Sequence, residues 1–325
     1  MNLLYLSVHE VQEYDDLRMF AEIPNITVMP VGRYHQKNAS GLRPSLNNEF
    51  PDSWRKSWAT IKGTEEQPDQ RFHITSEAVK PFDAIIVNHL WEWLFGNLEA
   101  FQGKTVIWRD IGQIVDTCED CWIAEAVKHG VKIVRYWDGY QSRPNYAGHD
   151  AIIPFGKFAG DFKRWNGQKL SVYGICQHFV NRGAACNKQI FDKVETKIPM
   201  SMHGAHNGKP HKSYEEILQD MADHRLMVYG GTRPAPYTLA LMEAMFTGIP
   251  VFTMKYLGWP SAMEELLTQE QLCDTEDELV NKLEFYMSKG DETLRMISDH
   301  QRCMAMEKFS AFNVMKLWDN FFKTI

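Results

Sequence analysis

The stretch from Tyr229 to Ser261 concentrates residue types that bind a phosphorylated ligand. It runs Tyr229-Gly-Gly-Thr-Arg-Pro-Ala-Pro-Tyr-Thr-Leu-Ala-Leu-Met-Glu243-Ala-Met-Phe-Thr-Gly-Ile-Pro250-Val-Phe-Thr253 and continues to Gly258-Trp-Pro-Ser. The order reads as a strand end, a Gly/Pro loop, a helix with a single acid, a Gly-Ile-Pro break and a second strand. Such an order sets loop N–H groups at a helix amino terminus, where unpaired donors and the macrodipole favour an anion. Thr238 has the chemistry of an N-cap. Glu243 falls about one and a half turns into the helix, within reach of sugar hydroxyls on the same ligand. Together with the small residues Ala244 and Gly248, the unit reads as a nucleoside-diphosphate site. The plainer reading is an ordinary helix–strand unit whose Pro-Ala-Pro stops a strand. Arg233 has two readings as well, a phosphate contact and a solvated loop residue.

A second group of cations stands at Asn181-Arg182-Gly183 with Lys188 six residues after the arginine. A guanidinium fork and a flexible ammonium at a helix start can neutralise charge on a leaving group. His203-Gly204-Ala205-His206-Asn207-Gly208 closes another strand, either as a shaped glycine-rich turn or as a plain one. In the amino-terminal half, Ser7-Val8-His9-Glu10 sits at the carboxyl end of the first strand, where open α/β sheets bind ligands. His9 reads as a general base, as a sugar contact or as a structural loop histidine. Arg109-Asp110-Ile-Gly-Gln113 ends a further strand. There Asp110 reads as a base and Arg109 as a phosphate contact, or the two as a mutual salt bridge. Trp91, Trp93 and Trp108 read as aromatic platforms or as core. Cys118-Glu-Asp-Cys121 lacks a second pair at zinc-finger spacing, so these thiols read as structural. No GxGxxG, P-loop or paired-aspartate metal motif is present.

The elements that must position these residues alternate strand and helix, the pattern of parallel α/β sheets. Strands are expected at 3–7, 26–30, 82–88, 104–109, 131–136, 151–154, 170–174, 199–203, 226–229 and 251–253. Helices are expected at 11–22, 90–101, 114–129, 186–195, 213–223, from 238, and at 262–267, 276–288, 292–308 and 313–323. Residues 33–76 show no period and read as a long loop or insertion. Turn-rich residues near 155–168 mark a boundary. The expected architecture is α/β, with two Rossmann-like domains facing a cleft.

Composition bounds the partners. The chain has 325 residues, 44% hydrophobic and 24% charged, which fits two globular domains. No apolar run approaches the roughly 20 residues of a membrane span, and the amino terminus lacks signal-peptide character. Six scattered cysteines fit reduced thiols and a cytoplasmic setting. The net charge of −7 announces no nucleic-acid footprint. Lys157, Lys163, Arg164, Lys169, Arg182, Lys188, Lys193 and Lys197 nevertheless make one segment locally basic.

Glu243-Ala244-Met245 with Gly248-Ile249-Pro250-Val251, followed by Thr253, Gly258 and Pro260, resembles the donor-site motif of group 1 (family 4-like) glycosyltransferases of the GT-B fold. The resemblance is specific over about 170–265 and architectural elsewhere. It implies an enzyme that moves a sugar, hexosyl or pentosyl, from a nucleoside-diphosphate sugar to a hydroxyl acceptor, with UDP the expected nucleotide. It implies that Glu243 holds the ribose and that the amides of Tyr237, Thr238 and Leu239 contact the diphosphate. Arg182 and Lys188 would clamp that diphosphate, and the Gly204 turn would lie beneath the base. The donor is a substrate; no bound cofactor is implied and no metal is required. The implied domains are an acceptor-side domain at 1–160, a nucleotide-sugar domain at 161–310, and a last helix at 311–325 crossing back to the first.

One departure stands out. The family's second glutamate, eight positions before Glu243, is replaced by Ala235, which separates the motif from its usual implication of a retained anomeric configuration. Short GT-B enzymes include those by which phages glycosylate modified cytosines, so duplex DNA with hydroxymethylated or hydroxylated cytosine is the leading single acceptor. Such an enzyme would act in the host cytoplasm. Glycan, lipid-linked and small-molecule acceptors are the alternatives. A module that binds nucleotide sugars without turnover is another.

Overall fold

The computed structural model describes residues 1–7, 9–32, 74–111, 119–143, 145–176, 179–204, 212–257 and 261–325. The expected insertion at 33–76 lies almost wholly outside the described residues. So do Val8, Cys118, the His206–Gly208 turn and Gly258–Pro260. The chain divides into two compact units, one of Met1–Gly156 with Ala311–Ile325 and the other of Lys157–Ser310.

The first unit is a six-stranded parallel sheet in the order β2-β1-β3-β4-β5-β6, formed by β1 (Asn2–Ser7), β2 (Thr27–Gly32), β3 (Ala84–Asn88), β4 (Thr105–Arg109), β5 (Lys132–Arg135) and β6 (Ala151–Ile152). Leu3-Leu4-Tyr5-Leu6 and Ile85-Ile86-Val87 are apolar without alternation because the sheet is covered on both faces. Helices α1 (Glu10–Glu22), α2 (Ser76–Val79), α3 (Trp91–Gly96) and α4 (Glu119–Lys128) connect the strands. Helix α3 stops at Gly96, short of the expected 90–101. Asn97 takes its place in a turn, its side chain donating to Trp93 O at 2.8 Å and accepting from Ile74 N at 2.8 Å. A side-chain amide that satisfies the backbone in this way competes with helix propagation. The order reverses between β1 and β3, so the carboxyl ends of those strands are this unit's switch point.

The second unit is a five-stranded parallel sheet in the order β11-β10-β9-β7-β8, from β7 (Lys169–Ile175), β8 (Met200–His203), β9 (His224–Tyr229), β10 (Val251–Met254) and β11 (Leu272–Cys273). Its helices are α5 (Phe179–Arg182), α6 (Lys188–Glu195), α7 (Tyr214–Asp223), α8 (Leu239–Thr247), α9 (Met263–Leu266), α10 (Glu276–Met287) and α11 (Asp291–Phe309). Helix α7 begins at a capping box in which Ser213 accepts from Glu216 N and Glu216 returns to Ser213 N. The last helix, α12 (Ala311–Phe322), belongs to the first unit. There Trp318 packs edge-on against Phe20 at 5.3 Å and stacks on Phe322. Among the described residues, no helix is long and apolar enough to cross a membrane.

Helix α8 ends as the Gly-Ile-Pro break requires. Gly248 closes it at φ +87°, donating to Ala244 O at 2.8 Å, and Arg302 donates to the terminal carbonyl of Phe246. The chain beyond is pinned by two buried amides. Gln301 donates to Ile249 O at 2.8 Å and accepts from Val251 N at 2.9 Å, while Gln271 donates to Val251 O at 2.8 Å. A Cβ at position 248 would stand 2.5 Å from Ser298 Oγ and 2.9 Å from Arg302 Cδ. Gly248→Ala should therefore cost about 2 kcal/mol or more, combining left-handed strain with overpacking. Urea unfolding measures it, and an unchanged midpoint would contradict the close packing of this cap.

Candidate donor site and the switch point of the first unit

The second sheet reverses its order between β7 and β9, which places its switch point where Ile175 and Tyr229 end their strands. The Gly230-Gly231-Thr232 loop leaves from that point. Gly230 is required by close approach, since a Cβ there would meet Phe191 Cε2 at 2.3 Å and Cys186 O at 3.0 Å. Asn187, buried at φ +52°, joins three loops. Its side chain donates to Gly230 O at 2.7 Å and Leu257 O at 3.3 Å, and accepts from Arg233 Nη2 at 2.9 Å. Arg233 also donates through Nε to Leu257 O at 2.7 Å, and its N–H reaches Ala185 O at 2.7 Å. Neither reading of Arg233 from sequence anticipates this brace, which commits two of its nitrogens to the loop framework. Tyr229, Gly231, Thr232, Arg233, Pro234 and Ala235 line a small concavity with Leu257.

Thr238 stands at the N-cap of α8 but makes no side-chain cap bond. The Tyr229 hydroxyl instead accepts from Thr238 N at 3.0 Å and donates to its Oγ1 at 3.1 Å. Burial pushes the Tyr229 pKa well up, so the hydroxyl keeps its proton. Tyr237 is buried against Phe309, with ring centroids 5.2 Å apart. Of the three expected amides, that of Thr238 is thus already taken. Among the described residues, no bond takes up the N–H groups of Leu239 and Ala240, the first of the helix. Glu243 is 6% exposed and accepts from Lys157 Nζ at 2.9 Å in a buried ion pair.

The expected cations lie across the same strand ends. Arg182 is exposed at the end of α5, and Gly183 O accepts from Lys188 N at 3.0 Å. The Lys188 ammonium is held by Asp192 one turn along α6, at 2.6 Å, so a diphosphate would have to displace that partner. Gly204 is buried directly after β8, whose last residue accepts from Cys176 N at 3.0 Å. Cys176 also hydrogen-bonds the Cys186 thiol. With help from Thr232 and the Arg182 charge, and against burial, this brings the Cys186 pKa down to about 7.

In the first unit, His9 follows β1 and His89 follows β3, so both histidines stand at the switch point, with rings 5.1 Å apart and edge-on. His9 N donates to Ser7 Oγ at 3.1 Å, and Asn88 ties Ser7 and Tyr5 together at 3.2 and 3.0 Å. His89 adopts φ +75°, an uncommon conformation for a residue with a side chain. The rule that selects His9, a polar residue within two positions of a buried strand's end, selects His89 as well.

Arg109 and Asp110 are buried, each in an ion pair with another residue. Arg109 is 0% exposed, paired with Asp16 and covered by Phe155 and Trp318 at 5.1 and 5.2 Å. Asp110, 2% exposed, lies 3.4 Å from Arg135 Nη1, while Nη2 of the same arginine holds Asp120 at 2.7 Å. Each therefore pairs with a partner far away in sequence. Desolvation this complete suits structural charges better than a phosphate contact or a base. Trp93 and Trp108 are core residues, and Trp91 stacks on Trp122 at 4.2 Å. Cys121 is exposed on α4. Among the described residues, no group of three or more His, Cys, Asp or Glu side chains could hold a metal.

Two units, each a parallel sheet with helices and its own switch point, are the architecture of the GT-B fold. Solved structures of GT-B glycosyltransferases match the whole chain. Sucrose-phosphate synthase from Thermosynechococcus elongatus is 11% identical, with the match covering 100% of this chain and 98% of that one at a TM-score of 0.68. HepE of Anabaena, solved in complex with UDP-glucose, is 12% identical over 100% of both chains at 0.63. A glycosyltransferase from Rickettsia africae is 10% identical, covering 100% and 99% at 0.66. No protein-family model matches the sequence, and no curated protein matches it.

The Cys186 thiol offers a check on the site's geometry. Its folded-state pKa lies below the ordinary value of 9, so the stability it contributes is in place above about 9 and is lost as pH falls through about 7. Ultraviolet titration of thiolate absorbance should show one thiol ionising near 7, and Cys176→Ala should move that step upward. A step that stays in place in the variant would contradict the Cys176 contact.

Proposed function

We propose that the chain is a glycosyltransferase that moves a sugar from a nucleoside-diphosphate sugar, UDP-linked, to an acceptor hydroxyl. The observation that carries this reading is the start of helix α8. Its open Leu239 and Ala240 N–H groups and its one buried carboxylate, Glu243, lie on a single helix that begins beside the switch point of the second sheet. Amides suit a diphosphate and a carboxylate suits the two hydroxyls of a ribose. The UDP and UDP-glucose bound to HepE, which has the same fold, support the choice of nucleotide.

In this reading the Leu239 and Ala240 amides, with Arg182 and Lys188, take up negative charge as the diphosphate leaves. Thr238 and Tyr237 fix the approach to the helix, Arg233 braces the loop, and Gly204 floors the base pocket. His9 and His89 serve the acceptor side, as base or as sugar contacts. Ala235 N–H closes a turn onto Thr232 O at 2.8 Å, and its methyl group offers no acid to the donor sugar. The donor sugar is therefore held by other groups than in relatives with a glutamate there.

The acceptor is a hydroxyl compound. Modified cytosine in duplex DNA calls for phosphate contacts, yet five of the six lysines of the basic segment, all but Lys197, are paired with acids. Lys169 pairs with Asp220 at 3.0 Å, Lys193 with Asp277 at 2.6 Å and Lys163 with Glu215 at 3.6 Å. A glycan or small-molecule acceptor fits that surface better. DNA binding that weakens steeply with salt would restore the DNA reading.

Incubation with a panel of UDP- and GDP-sugars, read by nucleotide release, tests the enzyme reading. Turnover is expected with at least one UDP-sugar, and Glu243→Ala should raise its KM by about tenfold or more, the loss of a charge-assisted hydrogen bond. Nucleotide binding without turnover of any donor would favour a binding module. Unchanged kinetics in Glu243→Ala would remove the ribose from this helix.

A further inference from the structure

Glu243 sits in an arrangement that its proposed task alone does not explain. A carboxylate that is almost wholly buried beside a diphosphate site has two electrostatic costs, the loss of water and repulsion from the ligand's own negative charge. Lys157 answers both. Its ammonium is 2.9 Å from Glu243 Oε1, and the lysine side chain is 1% exposed. The lysine reaches this position from 86 residues earlier in the chain.

Its backbone is fixed as firmly as its side chain. Lys157 N donates to Phe309 O at 2.8 Å, and Lys157 pairs with Ser310 in a parallel bridge. The Phe309 ring packs against Tyr237, the residue before the N-cap of α8. Lys157 thus touches the helix through its ammonium and, through Phe309, the loop that starts the helix. The Glu243 main chain is held separately, its carbonyl accepting from Thr247 Oγ1 at 2.9 Å.

We infer that Lys157 is a positioning residue for donor binding: it neutralises and orients Glu243 through Oε1, so that the carboxylate can meet a ribose beside an anionic diphosphate. The inference rests on the donor-site reading given above, and it adds a determinant that lies outside the 229–261 motif. Lys157 acts through Glu243 and need not touch the sugar.

Calorimetric titration with UDP tests it on the full chain as wild type, Lys157→Met, Lys157→Arg, Glu243→Gln and the Lys157→Met/Glu243→Gln double variant. Lys157→Met should weaken UDP binding by about tenfold, and Lys157→Arg should restore most of the loss. In the Glu243→Gln background, where no charge needs neutralising, Lys157→Met should change affinity by less than about threefold. With a donor that turns over, the effect should fall on KM and leave kcat nearly unchanged. Equal weakening in both backgrounds, or none in either, overturns the role given to Lys157 while leaving the donor site standing. Wild-type protein that binds no UDP overturns the donor site itself. If Lys157→Met does not fold, Lys157→Gln carries the same comparison, with circular dichroism and thermal midpoints confirming that each variant is native.

Discussion

Helix α8 is buried along most of its length, and the second unit is built around that constraint. Leu241, Met242, Ala244, Met245 and Phe246 leave it almost no solvent face. An apolar helix in such a place needs its ends satisfied from outside and its one charge balanced. Arg302 and the left-handed Gly248 close its carboxyl end, and the Tyr229 hydroxyl takes the Thr238 amide at the other. Lys157 balances Glu243. Removing one member of a buried pair typically costs about 3–5 kcal/mol, so the lysine contributes substantially to keeping this charge in the core. The amides of Leu239 and Ala240 are left without a partner among the described residues.

The first unit solves a related problem differently. Its charged residues lie within the sheet's own packing, with Arg109 on Asp16 and Arg135 between Asp110 and Asp120. Tyr5 donates to Asp16 at 2.6 Å, which draws β1, α1 and β4 into one polar network. Such a network ties the three elements together, although Asp16 Oδ1 and Arg109 Nε find no hydrogen-bond partner among the described residues. The two histidines at the ends of β1 and β3 stand on this rigid base. Burial thus separates roles that residue type alone leaves open, with the arginines and aspartates serving the frame and the histidines standing at the carboxyl ends of β1 and β3.

The α/β class was legible because a buried parallel strand needs an unbroken apolar run and its helix follows within a few residues. Gly248-Ile249-Pro250 marks its break for equally local reasons. A left-handed cap needs glycine, and proline cannot continue a helix. The candidate donor helix was found by the same local logic. Longer-range partners left no such trace. Nothing around Lys157 announces Glu243, and nothing at Asp16 announces Arg109, 93 residues away. Asn187 carries three loops from a position that reads as an ordinary helix start.

A contrast separates Arg109 from Glu243. Each is a charged residue beside a strand or within a helix of a Rossmann-like unit, and each is buried in an ion pair. What separates them is the surroundings of the pair. Arg109 is roofed by Phe155 and Trp318, so that its pair is closed off. Glu243 lies one turn beyond amides that no group among the described residues occupies, at the edge where its sheet reverses order. A buried charge becomes a candidate for function when unsatisfied donors lie within a ligand's length of it. By that criterion the helix from Leu239 to Thr247, with its lysine from another part of the chain, is the second unit's candidate site.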